Sequence, residues 1–134
     1  MHFGNFKEAV SDFDKSLRHA PNDASIYYQR GLALFELKDY HRVITDMDSA
    51  IQKSSIDRYE YYFLKAKALL FSFQTEKALA YFNKTLSLTP RFAEAYMYRA
   101  VTRKQLNDQF GACEDYTMAA SLGYNTAHED DLCD

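Results

Sequence analysis

Small and bulky apolar residues return along this chain in steps of four, and the whole pattern returns again every 34 or 35 residues. Ala9 with Phe13, Val43 with Met47, Ala78 with Phe82 and Ala112 with Tyr116 are successive copies, separated by 34, 35 and 34 residues. Ser16, Ala50, Thr85 and Ala119 keep the same offset, as do Leu17, Ile51, Leu86 and Ala120. A second series, Tyr27, Tyr62 and Tyr96, is followed four residues on by Gly31, Ala66 and Ala100. Residues three and four apart share one face of a 3.6-residue turn, so both series predict amphipathic helices. Two such series inside one period predict a helical hairpin, repeated along the chain.

The breaks between periodic stretches support this reading. Turn residues separate the two helices of a hairpin at Gly4 and Asn5, Lys38 and Asp39, Ser72 to Gln74, and Asn107 and Asp108. Pro21 to Asp23, Ser54 to Asp57, and Thr89 with Pro90 separate one hairpin from the next. Seven helices are predicted, over 5–19, 24–37, 40–53, 58–71, 74–87, 92–106 and 109–122. Asp23 and Asp57 are expected N-caps. The small series Gly31, Ala66 and Ala100 is expected where a first helix meets its partner. Phe13, Met47, Phe82 and Tyr116 are expected to pack toward the following hairpin, and Tyr27, Tyr62 and Tyr96 to anchor the first helices.

An aromatic, a Gly or Ala four residues on, then Ala with an aromatic four later and a closing Pro is a pattern that resembles the tetratricopeptide repeat family. The stretches YYQRGLALFELKDYHRVITDMDSAI and FAEAYMYRAVTRKQLNDQFGACEDYTMAASLG carry it most fully, and the resemblance extends over residues 4–126. Arg30, Lys65 and Arg99 stand where the family usually has Leu, and Ser55 and Tyr124 replace the closing Pro. The resemblance implies an all-α fold, an α-solenoid of antiparallel hairpins with about three full repeats and one half repeat. These are a half repeat at 4–23 and repeats at 24–57, 59–92 and 93–126, within a domain spanning 1–126 and followed by an acidic tail at 127–134. The first helix of the half repeat would precede Met1. The chain is therefore expected either to be a piece of a longer array or to associate through its open ends.

Composition narrows the function classes. Four Gly and two Pro in 134 residues are too few for a many-stranded fold. The formal charge of −3 is set by Glu129, Asp130, Asp131 and Asp134, without which the chain carries +1 and has no basic stripe. Nucleic-acid binding is not expected. No apolar run is long enough to span a bilayer and the N-terminus has no signal core, so the chain reads as soluble. Cys113 and Cys133 are too few for a disulfide framework and do not match a metal or redox spacing, which leans toward a reducing, cytoplasmic compartment.

Nothing in the chain reads as catalytic machinery. His2, His19, His41 and His128 are scattered, and His128 with Glu129, Asp130 and Asp131 reads as a solvated tail rather than a metal site. Asp12, Asp46 and Asp115 recur because the repeat recurs, and packed helices hold successive copies about 10 Å apart, too far to share a proton. No Gly-rich phosphate loop, nucleophile elbow or zinc-protease motif is present. A non-enzymatic chain without cofactor or metal is expected.

The resemblance also implies where a partner would lie, since first helices of such repeats line a concave groove. Matching positions are Ser25, Tyr28, Leu32, Phe35 and Glu36, then Glu60, Phe63, Lys67, Leu70 and Phe71, then Glu94, Met97, Val101, Lys104 and Gln105. Tyr28, Leu32, Phe35, Phe63, Lys67, Leu70, Phe71, Met97 and Val101 form the expected binding strip for a peptide or helix of a partner protein. Charging it at Phe63 is expected to abolish capture. Gln29, Leu64, Glu94 and Tyr98 occupy the sites at which some family members clamp a terminal carboxylate, so such a clamp is not expected.

Overall fold

The computed structural model describes residues 3–125 and residue 133. Seven helices follow one another: α1 (Phe3–His19), α2 (Ala24–Glu36), α3 (Tyr40–Lys53), α4 (Tyr59–Phe71), α5 (Thr75–Leu88), α6 (Ala93–Gln105) and α7 (Gln109–Ser121), with no strand among the described residues. Each helix packs on its neighbours in sequence, giving the all-α array of hairpins that the period predicts. Besides these neighbours only α2 with α4 and α4 with α6 come together, whereas α3, α5 and α7 do not meet one another. The first helices therefore form the inner layer of a curved stack and the second helices the outer one.

The core follows the stack. One buried cluster joins Val10, Leu34, Val43, Met47, Tyr61 and Leu64, the next joins Phe63, Leu69, Ala78, Phe82 and Ala95, and the last joins Ala100, Ala112 and Tyr116. Each period supplies small residues at the crossing: a Cβ on Gly31 would lie 2.6 Å from Met47 Cε and 3.4 Å from Leu64 Cδ2. Phe82 reaches the next hairpin as expected, with its ring 6.2 Å from Tyr98 and 6.1 Å from Phe63. The tyrosine series ties first helices to the preceding link. Tyr27 and Tyr96 donate to the carbonyls of Pro21 and Pro90 at 3.0 and 2.8 Å, and Tyr62 donates to Asp57 at 3.1 Å.

The turns repeat as well. Lys38, Phe73 and Asn107 adopt φ of 61°, 63° and 64° at the ends of α2, α4 and α6, a left-handed closure normally given to Gly or Asn. Asp23 caps α2 by accepting from the Ser25 N–H, and Asp39 and Asp108 cap α3 and α7. Asp57 does not cap α4. Its neighbour Arg58 holds the N-cap position without a side-chain bond, and the Asp57 carboxylate is instead taken by the Tyr62 hydroxyl and the Lys84 ammonium.

Arg30, Lys65 and Arg99 turn out to be a ladder. Arg30 donates to Asp46 on its own partner helix at 2.7 and 2.9 Å and to Asp14 on the preceding hairpin at 2.9 Å. Arg99 does the same with Asp115 at 2.7 and 2.8 Å and Asn83 at 3.1 Å. Between them Lys65 donates to the Tyr81 hydroxyl at 2.7 Å and pairs with Asp48. Each cation thus bridges three helices, reaching forward to the second helix of its own hairpin and back to that of the hairpin before. Asp46 and Asp115 are buried carboxylates paired in this ladder, while Asp12 of the same series is exposed.

Candidate functional site

The inner layer presents an aromatic surface that crosses all three first helices. Phe35 of α2 lies 5.7 Å from Phe71 of α4, and Phe71 lies 6.2 Å from Tyr98 of α6. Tyr40, at the start of α3, closes one edge at 5.4 Å from Phe35 and 5.8 Å from Phe71. Tyr28 stacks obliquely on Tyr61 at 5.2 Å. Leu32 and Phe71 remain 41% and 40% exposed, which makes them the accessible apolar anchors of the surface.

Lys67 stands in the middle of these rings. Its ammonium lies 4.6 Å from the centroid of Phe63, 5.1 Å from Phe35 and 5.7 Å from Tyr98, within cation–π range of all three. Burial holds its pKa below the ordinary lysine value, against the opposing pull of Glu94 and Glu36. Burial likewise raises the Tyr28 and Tyr98 phenols, helped by Glu60 and Glu94 respectively. The surface is therefore aromatic, carries one desolvated cation and is rimmed by carboxylates.

The nine residues of the expected strip divide in two. Tyr28, Leu32, Phe35, Lys67, Phe71, Met97 and Val101 retain solvent exposure. Phe63 and Leu70 do not: they are 8% and 2% exposed and belong to the second core cluster. Phe63 is enclosed by Phe92 at 4.7 Å, Tyr98 at 5.9 Å and Phe82 at 6.1 Å, because the following hairpin covers that side of α4. A charge at Phe63 would disrupt the core and would not report on a surface. Tyr40 and Tyr98 were missed as lining residues. Tyr40 belongs to a second helix, and its place beside the turn, four residues after Glu36, was the available signal. Leu64, at one carboxylate-clamp position, is buried, with 2% exposure.

A cavity of about 680 Å³ lies elsewhere, against α6 and α7 among Tyr96, Arg103, Phe110, Met118 and Cys133. Here the structure corrects the reading of the two cysteines. Cys113 and Cys133 form a disulfide, with Cα atoms 5.3 Å apart, which sets Cys133 against α7. Glu129, Asp130, Asp131, Asp134 and His128, like His2, lie outside the described residues. Among the described residues no group of three or more His, Cys, Asp or Glu could hold a metal ion, and no helix is long and apolar enough to cross a membrane.

The comparisons with known proteins agree with this architecture. A family model described as tetratricopeptide repeat matches residues 59–92, the α4–α5 hairpin. The chain is 27% identical over 125 residues to tetratricopeptide repeat protein 16 of Homo sapiens and of Macaca fascicularis, covering 89% of this chain and 14% of each relative. A crystal structure of MamA superposes with a TM-score of 0.84 at 18% identity, over 90% of this chain and 70% of that one. The MamA structure "41-end" from Desulfovibrio magneticus RS-1 gives 0.84 at 26% identity, over 90% and 67% of the two chains. YrrB, described as a TPR protein with an unusual peptide-binding site, gives 0.78 at 16% identity, over 90% and 61%. The α4–α5 hairpin thus matches the tetratricopeptide repeat model, and the chain as a whole is similar in sequence and fold to tetratricopeptide repeat proteins.

Proposed function

We propose that this chain is a non-catalytic scaffold that holds a peptide or helix of a partner protein against the inner surface of α2, α4 and α6. The observation that carries this reading is the exposure of Leu32 and Phe71 on a surface where half-buried Phe35 and Lys67 join Phe71 and Tyr98 across three helices. Aromatic anchors supply most of the energy at protein interfaces, and a half-buried lysine adds orientation for an acceptor on the partner. YrrB, of the same fold, is described as having a peptide-binding site, which supports the reading by analogy of fold. The chain spans about 14% of the curated relatives it matches, so the proposal concerns this array alone.

The test begins with affinity capture from the native cell and identification of the bound protein by mass spectrometry. Its binding segment is then titrated calorimetrically against the wild-type chain, Leu32→Asp and Phe71→Asp. Each variant should weaken binding by at least about tenfold with an unchanged helical spectrum. Full affinity in both would remove the inner surface from consideration. The exposure of Phe110 and Met118, at 77% and 44%, favours self-association as the second reading, and a mass that rises with concentration in light scattering would support it.

A further inference from the structure

The cations that this fold takes partly out of water differ in whether the chain answers them. Arg30 and Arg99 each donate to a carboxylate at 2.7 Å, Arg103 donates to one at 3.0 Å, and Lys65 pairs with Asp48 and donates to the Tyr81 hydroxyl at 2.7 Å. Lys67, two residues beyond Lys65 on α4, has no hydrogen bond or ion pair among the described residues. Its ammonium meets the rings of Phe63, Phe35 and Tyr98, while Glu94 and Glu36 act on it through space without bonding to it. A ring attracts a cation but is a poor hydrogen-bond acceptor. Three N–H donors are therefore left without a strong acceptor where burial already penalises the charge.

The surroundings of Lys67 define what would answer it. Phe35 of α2 stands on one side of the ammonium and Tyr98 of α6 on the other, with Phe71 one turn further along α4. Packed helices lie about 10 Å apart, so a segment that crosses all three first helices meets Lys67 midway, with apolar groups before and after it. Glu36, Glu60 and Glu94 belong to the same three helices and none of them is buried. Glu60 acts on Tyr28 and Glu94 on Tyr98, so these carboxylates make their field felt within the groove. They repel a run of acidic residues, and an acceptor for Lys67 must come singly.

Resting on the reading of this surface as a partner-binding groove, we propose that Lys67 selects a partner segment carrying one side-chain carboxylate between two apolar residues. The carboxylate accepts from the Lys67 ammonium, and its apolar neighbours seat on Leu32 and Phe71, which are 41% and 40% exposed. A side-chain carboxylate suits the place better than a chain terminus, because a segment ending at Lys67 would leave the apolar groups on one side of it uncovered. The two charges meet in a partly desolvated site, where a charge-assisted hydrogen bond is stronger than at an open surface. Affinity then comes from the apolar anchors, and the choice among apolar segments comes from Lys67. A cation that the chain's own contacts leave uncompensated is thereby explained as a cost kept for binding.

The probes are heptapeptides blocked by acetyl and amide groups, long enough in extended form to cross about 20 Å. They carry Glu, Gln or Lys at the centre and Leu, Phe, Ala or Glu at the two positions on each side, and are selected on beads with the fluorescently labelled chain. The selected sequences are then titrated by fluorescence polarisation against wild type, Lys67→Met, Lys67→Glu and Phe71→Asp, each with its helical spectrum recorded. Central Glu should bind at least about tenfold tighter than central Gln. Lys67→Met should erase that ratio while Leu and Phe are still selected beside the centre, Lys67→Glu should turn the preference to central Lys, and Phe71→Asp should weaken every peptide. Equal affinity for central Glu and Gln, a wild-type preference for central Lys, or a Glu preference that survives in Lys67→Met would overturn the role of Lys67. So would tighter binding of a central-Gln peptide once its terminal carboxylate is freed, or selection of Glu over Leu and Phe beside the centre. In each of these cases a loss of affinity in Phe71→Asp would leave the groove itself standing. Selection of no peptide, or affinity unmoved by Phe71→Asp, would overturn the groove and this proposal with it.

Discussion

Removing the Asp115 carboxylate should destabilise the array more than any surface change, and the cost can be worked from its contacts. The side chain is 4% exposed and accepts from Arg99 Nε and Nη2 at 2.8 and 2.7 Å and from Arg103 Nη1 at 3.0 Å. In Asp115→Ala, Arg99 keeps Asn83 at 3.1 Å and the Tyr96 ring at 5.4 Å, and Arg103 keeps Asp108 at 3.9 Å and the Gly111 carbonyl at 3.5 Å. Breaking one side of a buried pair costs about 3–5 kcal/mol, because a desolvated charge is left uncompensated. Both guanidinium side chains retain some water, at 17% and 24% exposure, which places the loss near the lower end, about 3 kcal/mol. For a chain of this size that is a fall of about 10 °C in Tm. Repeats in such a stack unfold partly on their own, so the loss should concentrate in α6 and α7. Thermal melts by circular dichroism give the total, and hydrogen exchange gives its location. The double variant Arg99→Leu with Asp115→Leu removes one of the two orphaned cations, leaving Arg103 with Asp108, and should recover a large part of the loss. A single variant that loses under about 1 kcal/mol, or a double variant as unstable as the single, would refute the account of the ladder.

Three further outcomes follow from the same geometry. Gly31→Leu should cost about 1–3 kcal/mol in urea unfolding, since even a Cβ would lie 2.6 Å from Met47 Cε and Met47 is fully buried; an unchanged midpoint would mean that α2 and α3 do not cross there. Phe73→Gly should stabilise by about 0.5–1 kcal/mol, read as a higher urea midpoint, because Phe73 sits at φ 63° and is 85% exposed, so a strained turn is relieved without loss of packing. Lys65 and Lys67, two residues apart on α4, should respond to pH with opposite signs. Burial lowers the Lys65 pKa, but its bonds to Asp48 and Tyr81 outweigh this and hold it above the ordinary value, so its stabilisation is full at neutral pH and is lost as pH rises through the folded pKa. Burial holds Lys67 below the ordinary value, so its charge opposes folding at neutral pH and that opposition fades as pH rises toward the unfolded value. At pH 7 Lys65→Met should lower Tm and Lys67→Met should raise it, and NMR titration of labelled lysines should give Lys67 the lower pKa. The same sign for both variants would contradict the burial of Lys67 without a direct ionic partner.

The parts of this molecule that were legible in the sequence are those that repeat. Helix number, hairpin order and the small residues at Gly31, Ala66 and Ala100 all follow from one period, because a stack of like units must meet its neighbours with like faces. The inner surface was legible only in outline. Projecting one helical face assigns Phe63 and Leu70 to the groove as readily as Lys67 and Phe71. Yet α4 is covered by hairpins on both sides, and its buried residues run from Tyr61 to Leu70 with only Tyr62 and Lys67 interrupting. Tyr40 escaped because it enters from a second helix. The pairing of Cys113 with Cys133 escaped because a separation of 20 residues fixes no distance until the chain beyond α7 is placed. Asp57 illustrates a local competition: the capping rule suits its residue type, but a tyrosine five residues on and a lysine from α5 take the carboxylate first.

The three cations that depart from the family pattern have a consequence for the order of hairpins. A leucine at positions 30, 65 and 99 would fit any neighbouring hairpin, since apolar contact is indifferent to partner identity. A cation at the same place requires an acceptor on its own partner helix and another on the hairpin before. The forward partner changes with the cation and the backward one does not: Arg30 has Asp46 and Asp14, Lys65 has Tyr81 and Asp48, and Arg99 has Asp115 and Asn83. Tyr81 offers one hydroxyl where Asp46 and Asp115 offer two carboxylate oxygens, matching a single ammonium and not a forked guanidinium. An arginine in place of Lys65 would find no bidentate acceptor on its own partner helix. Because each forward acceptor belongs to the same hairpin as its cation, hairpin order is read only through the backward contacts to Asp14, Asp48 and Asn83. The helices could stack through apolar contact alone, and the ladder adds to each junction a polar link that answers the cation placed there.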